Sequence, residues 1–178
     1  RGWHGSTGVD DYGLSASLDI SRVLAWIRRQ PDVAGIVLVG FSMGGLMAAL
    51  AAADQPAGAL DGVVLVNAPA ELRSFARDTA FGGARRYLEK TLQPRQWQDS
   101  SPLNHADRLS HPLLVVVGTE DTMTPPDQGR RLADAAPASA LFEVAGMGHH
   151  PTHGEWAQIL EAADTQFDLR RGLPSPAR

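Results

Sequence analysis

The chain contains no cysteine, and that absence removes three kinds of chemistry at once. No disulfide framework can staple it, no thiolate can serve as nucleophile, and no zinc can be held by sulfur ligands. Lysine is almost missing too: Lys90 is the only one, so positive charge is carried by arginine, which reads as compositional bias and not as a binding patch. No run approaches the roughly 18 consecutive apolar residues of a membrane span. Basic residues are outnumbered, giving a net charge of −4 and a pI near 5.8, so neither nucleic acid nor an anionic membrane surface is expected as a partner. No signal peptide is visible, yet the chain opens at Arg1 and not at a methionine. A cytoplasmic location is the expectation, with secretion left open because the true beginning is read as absent.

What is present is enough for one core. At 178 residues and 43% hydrophobic, the chain suits a single domain over 1–178 and is too short for two ordinary ones. Ile20, Val23, Leu24 and Ile27 fall at i, i+3, i+4, i+7, predicting an amphipathic helix over 14–30 that Pro31 ends. Continuous apolar runs predict strands at 35–39, 63–66, 113–117 and, more weakly, 140–144. Helical patterns separate and follow them: an alanine-rich stretch to about Asp54, then 126–135 and 154–170. Apolar strands alternating with helices imply an α/β domain, a mostly parallel sheet flanked by helices. The connection 68–111 is longer than a crossover needs and carries helical patterns near 71–79 and 83–92, with Phe75, Phe81, Tyr87 and Trp97. It reads either as a helical connection that completes the core or as a small lid over a cleft. Residues 172–176 read as a frayed tail.

The stretch that carries most chemical information is Gly40-Phe41-Ser42-Met43-Gly44-Gly45, placed directly after the apolar run at 35–39. A strand, a glycine-bracketed serine and a helix make the layout of a nucleophile elbow. The serine sits at a very sharp turn in a strained conformation, and crowding favours glycine at Gly40 and Gly44. Ser42 as a plain helix cap is the duller alternative.

A serine hydroxyl at neutral pH needs a base, usually histidine, oriented by a carboxylate. Both are expected in loops at the carboxyl ends of the parallel strands. The loop after the third strand is Gly118-Thr119-Glu120-Asp121 and the loop after the fourth is Gly146-Met147-Gly148-His149-His150, so the chain order is Ser42, Asp121, His149. Glu120 is the rival of Asp121, whereas His150 and His153 compete with His149. Thr124 reads as the N-cap of the next helix, before Pro125 and Pro126 with Asp127 at the capping-box position, which leaves Asp121 without a structural duty. A metal site at His149, His150 and His153 lacks an evident carboxylate ligand. His4, His105 and His111 read as surface or turn histidines.

Gly-Phe-Ser-Met-Gly-Gly at 40–45, Gly-x-x-Asp at 118–121 and Gly-x-Gly-His at 146–149 resemble the three catalytic signatures of the α/β-hydrolase superfamily, over nearly the whole chain. Ser-Pro-Leu at 101–103, leading into a helix, is similar to the dienelactone-hydrolase, serine-peptidase and lysophospholipase branches. The resemblance implies Ser42 as nucleophile, His149 as general base and then acid, Asp121 as orienting carboxylate and the N–H of Met43 as an oxyanion donor. It implies cleavage of an ester, thioester or amide through an acyl-enzyme, with no metal or organic cofactor and a small ester-like substrate as partner.

The superfamily sheet usually has eight strands, and the resemblance assigns only the last four here. Residues 1–6, Arg-Gly-Trp-His-Gly-Ser, resemble the loop after the family's fourth strand, so the amino-terminal half is expected to be missing. The nucleophile strand would then be an uncovered apolar edge open to self-association. The second oxyanion donor would be missing as well, a loss of about 10²–10³ in turnover. Two other classes remain. A dinucleotide-binding domain would want an acidic residue where Val66-Asn67 stands, and an inactive or truncated hydrolase-fold binding module would retain the motifs without turnover.

Overall fold

The computed structural model describes residues 1–2, 4–12 and 14–169; the tail at 172–176 lies outside the described residues. Four strands form one parallel sheet in the order β1-β2-β3-β4: β1 (Val37–Phe41), β2 (Gly62–Val66), β3 (Leu113–Gly118) and β4 (Ser139–Val144). The register pairs Phe41 with Val66, Val66 with Val116 and Val116 with Phe142. The carboxyl ends of all four strands therefore share one rim, where the three motif loops emerge.

Why these runs become strands follows from their burial. β2 and β3 are buried at every residue, which is what a β-branched run covered on both faces requires. Val63, Leu65, Leu113 and Val115 point to one face and pack against α1 (Leu14–Ile27), α2 (Met43–Ala53) and α6 (Asp127–Ala135). Val64, Val66, Leu114 and Val116 point to the other and meet Ile159 and Ala163 of α7 (His153–Phe167). A third cluster joins Tyr12, Leu46 and Leu50 to α3 (Leu72–Asp78) and α4 (Gly82–Thr91) above the rim. Leu46, Leu65, Leu72 and Leu88 are fully buried, each contributing about 1.5–3 kcal/mol.

β1 differs from its neighbours. It lies at one end of the strand order, and Val39 is 46% exposed. Its outer edge presents N–H and C=O groups with no strand beside them among the described residues, the edge that the motif comparison anticipates.

Several boundaries depart from the periodicity. β1 runs through Gly40 and Phe41 and does not start at 35, because its ladder to β2 begins at Gly62 and because the Asp61 carboxylate holds the Ile36 N–H at 2.6 Å. α1 stops at Ile27: the chain tightens into an i→i−3 bond from Arg29 to Trp26, as expected just before Pro31. The connection 68–111 contains α3 and α4 as read, plus a short α5 (Gln96–Asp99). The element after Ser101 is a 3₁₀ segment, Pro102–Arg108, and not an α-helix. α7 begins on a capping box: the Thr152 hydroxyl accepts from the Glu155 N–H and the Glu155 carboxylate accepts from the Thr152 N–H. That cap fixes the chain three residues beyond His149.

His111 is not at the surface. It is 2% exposed, at the turn into β3 and beside the backbone of Ala52 and Gln55 at the carboxyl end of α2.

Candidate active site

One residue separates the end of β1 from the start of α2, and it is Ser42. Reversing the chain in one step places Ser42 at φ 51°, ψ −125°, a region that costs a non-glycine residue about 1–3 kcal/mol. Surrounding hydrogen bonds over-determine the turn. The Ser42 N–H donates to Val66 O at 2.8 Å, and its carbonyl accepts from Gly45 N at 2.9 Å and Leu46 N at 3.2 Å.

The glycines divide the steric work differently from the motif reading. A Cβ on Gly40 would lie 2.5 Å from Gly44 O and 2.6 Å from Gly45 Cα. A Cβ on Gly45 would lie 2.6 Å from the Cβ of Ala68, whereas one on Gly44 would meet nothing within 4 Å. Crowding thus demands Gly40 and Gly45, and the expectation for Gly44 is corrected. α2 drives into the loop after β2 along its Gly45 side and turns Gly44 away from the sheet.

The three motif residues meet at the rim. His149 Nε2 lies 2.9 Å from Ser42 Oγ, and His149 Nδ1 lies 2.8 Å from Asp121 Oδ2. Both contacts are satisfied by one tautomer, with Nδ1–H donating to the carboxylate and Nε2 accepting from the hydroxyl. Asp121 is 2% exposed and His149 9%. Glu120, His150 and His153 are exposed; the backbone N–H of Glu120 donates to Met147 O, and His153 opens α7.

Asp121 does have a structural duty. Its Oδ1 accepts from the N–H groups of Met123 and Thr124, each at 2.8 Å, while Oδ2 faces His149. The division fixes the rotamer, since two backbone donors pin one oxygen and direct the other at the imidazole. Thr124 is not the cap of the next helix: α6 starts at Asp127 with Pro126 at its N-cap and no side-chain cap bond. The turn is instead closed by the Asp121 side chain.

Phe41, the residue between Gly40 and Ser42, supports the imidazole. Its ring centroid lies 5.2 Å from His149, 5.7 Å from His150 and 6.3 Å from Trp156. Met43 is the first residue of α2, where backbone N–H groups have no intrahelical acceptor and the helix dipole favours negative charge.

Ser42 and His149 open onto a cavity of about 330 Å³. Its walls include Tyr12, Phe75, Phe81, Ala84, Tyr87 and Met123, and among the described residues no Asp, Glu, Lys or Arg lines it. Within the 68–111 connection, Phe75 is 6% exposed and packs in the core, whereas Phe81 is 53% exposed and borders the cavity. Tyr12 went unnoticed in the sequence, where nothing marks it apart from two preceding aspartates. It is 6% exposed at φ 51°, with its N–H donated to Asp10 Oδ1, and burial pushes its phenol up to about 12.

The sequence matches the family described as Prolyl oligopeptidase family over residues 5–140. Among curated proteins it is similar to Esterase LipC of Mycobacterium tuberculosis, 28% identical over 171 residues, covering 83% of this chain and 42% of that protein. Among solved structures it is similar to a puromycin-hydrolyzing peptidase of Mycobacterium tuberculosis, with a TM-score of 0.76 and 23% identity over 94% of this chain and 27% of that one. It is also similar to an acetyl xylan esterase from Paenibacillus sp. R4, with a TM-score of 0.73 and 17% identity over 93% of this chain and 60% of that one. The shared architecture is the α/β-hydrolase fold. The chain spans less than half the length of the curated relative, 42% of it.

Proposed function

This chain belongs to the prolyl oligopeptidase family, and from that premise we propose that it is a serine hydrolase cleaving a carboxylic ester through an acyl-enzyme. Ser42 is the nucleophile, His149 the general base and then acid, Asp121 the orienting carboxylate, and the Met43 N–H an oxyanion donor. The observation that carries the reading is the unbroken line of contacts from Ser42 Oγ through His149 to Asp121, at 2.9 and 2.8 Å, opening onto the apolar cavity.

The steps follow from the contacts. His149 Nε2 takes the Ser42 proton as Oγ forms a bond to the carbonyl carbon, and negative charge moves to the carbonyl oxygen beside the Met43 N–H. Asp121 stabilises the imidazolium through Nδ1–H. Collapse of the intermediate breaks the bond to the leaving group, which departs with the proton from Nε2. Water then repeats the sequence on the acyl-serine and frees the acid. Ester is preferred to amide because its leaving group needs less protonation; a thioester fits the same steps. A cavity without charged walls suits an uncharged apolar group, with the 68–111 segment acting as a wall or small lid over it.

A second reading, an inactive or truncated hydrolase-fold module, is favoured by the edge of β1, which has no strand beside it among the described residues. A fluorophosphonate probe separates the two. Labelling of the wild type with loss in Ser42→Ala is the result expected of the hydrolase. Folded wild-type protein that resists the probe, and that releases no nitrophenol from p-nitrophenyl butyrate, would sink it.

A further inference from the structure

β2, the strand between the nucleophile strand and β3, ends at Val66, and the next residue is Asn67. Asn67 is 1% exposed and sits at φ 47°, a left-handed conformation that asparagine tolerates better than most residues. A primary amide buried that deeply needs an acceptor for its two N–H groups and a donor for its oxygen. Asn67 Oδ1 accepts from Gly118 N at 2.8 Å, while Nδ2 donates to Gly148 O at 3.0 Å and to His149 O at 2.8 Å. The orientation is unambiguous. A half-turn of the amide would set its oxygen against two carbonyl oxygens and its NH₂ against an N–H.

These bonds reach 51, 81 and 82 positions along the chain and end at the last residue of β3, from which the Asp121 loop departs, and in the loop that carries His149. Gly118, whose N–H Asn67 accepts, in turn accepts the Asp121 N–H at 3.1 Å through its own carbonyl. The residue before Asn67 completes the set, since Val66 O accepts the Ser42 N–H at 2.8 Å. The histidine loop also passes close over Gly118: a Cβ there would lie 2.3 Å from Met147 O and 2.8 Å from Gly148 O. Sheet pairing at this point needs none of the side chain, because the Asn67 N–H already donates to Val116 O at 2.9 Å.

We infer that Asn67 is a positioning residue for the proposed triad: its amide clamps the carbonyls of Gly148 and His149 to the end of β3 and so sets the imidazole between Ser42 and Asp121. The inference rests on the hydrolase reading for its catalytic consequence, but the clamp is a property of the fold and can be read without turnover. Releasing the backbone of residue 149 frees the ring to drift, and a misplacement of about 1 Å costs about 10²-fold in rate.

The test uses two variants and two readouts. Asn67→Gly keeps the backbone conformation accessible and removes all three bonds, whereas Asn67→Asp keeps the shape and the Gly118 contact but cannot supply both donors. The first readout is the Nδ1 proton of His149 by NMR, expected as a slowly exchanging downfield resonance in the wild type and lost to exchange in both variants. The second is p-nitrophenyl ester turnover, expected to fall about 10²-fold in kcat with KM within about twofold and with the acidic limb of the pH–rate profile displaced. If Asn67→Gly does not fold, Asn67→Asp decides alone. An unchanged Nδ1 resonance and unchanged kcat in a folded variant of active protein overturn the clamp and leave the hydrolase standing. A wild type without turnover whose Nδ1 resonance still disappears on substitution supports the clamp and sinks the hydrolase.

Discussion

Gly45 and Ala68 approach so closely that a methyl group on Gly45 would lie 2.6 Å from the Cβ of Ala68, a position set by backbone and not by a flexible chain end. The first turn of α2 is thereby seated directly on the loop after β2. Gly45→Ala is expected to destabilise the fold by about 1–3 kcal/mol and to displace Ser42, as overpacking does. Gly44→Ala, with open space around it, should be neutral or stabilising by up to about 1 kcal/mol. Urea unfolding of the two variants checks the contrast, and equal losses at both positions would contradict it.

The cavity beside Ser42 includes Gly83, near the start of α4, where a Cβ would touch the Phe81 ring at 3.5 Å, an ordinary contact. A Cβ there clashes with nothing, so a side chain can start from this position toward the cavity. Gly83→Leu is expected to lower kcat/KM for p-nitrophenyl octanoate relative to the acetate by about tenfold or more, since each excluded methylene counts for about 1–3 kcal/mol. An unchanged ratio in a protein that still reacts with fluorophosphonate would place the acyl chain elsewhere.

His111 is 2% exposed, and among the described residues neither ring nitrogen reaches a partner in full hydrogen-bond geometry, although the nearby backbones of Gln55 and Ala52 favour the charged ring weakly. Burial, with a smaller push from the Arg28 charge, holds its pKa below the ordinary histidine value. The folded protein therefore keeps His111 neutral where the unfolded chain binds a proton. Its contribution is fully present above about pH 6.5, is lost progressively as pH falls below that, and levels off once pH passes the folded pKa. The unfolding midpoint should accordingly drop between about pH 6.5 and the carboxylate range, and His111→Phe should flatten that slope. A wild-type midpoint insensitive to pH there would refute the assignment.

The outer edge of β1 has no strand beside it among the described residues, and Val39 on that strand is 46% exposed. We propose that the edge pairs with another chain when the protein is concentrated. Sedimentation should show association that Val39→Lys reduces, with stability changed by no more than about 0.5 kcal/mol. A wild type that stays monomeric at millimolar concentration would remove the proposal.

Much of the fold was legible because it is encoded locally. The runs at 63–66 and 113–117 are apolar at every position, and a strand can satisfy that only when both of its faces are covered. Ser42 was legible for a similar reason: strand, glycine-flanked serine and helix all fall within a dozen residues. Asp121 and His149 needed one further step, that loops after parallel strands share a rim, and the register supplies it.

What escaped the sequence depends on partners far along the chain. Nothing around Asn67 marks it, because the carbonyls that give its amide a purpose lie 81 and 82 positions away. Whether Gly44 or Gly45 is obligatory depends on Ala68, and the burial of His111 depends on the end of a helix more than fifty positions earlier. The sequence by itself determined where the main strands and helices fall and which serine stands at the turn from strand to helix, since periodicity and turn sterics act over a few residues. Only the tertiary structure decided how the rim is locked, because a buried polar group acquires its role from whichever distant atoms packing places within about 3 Å of it.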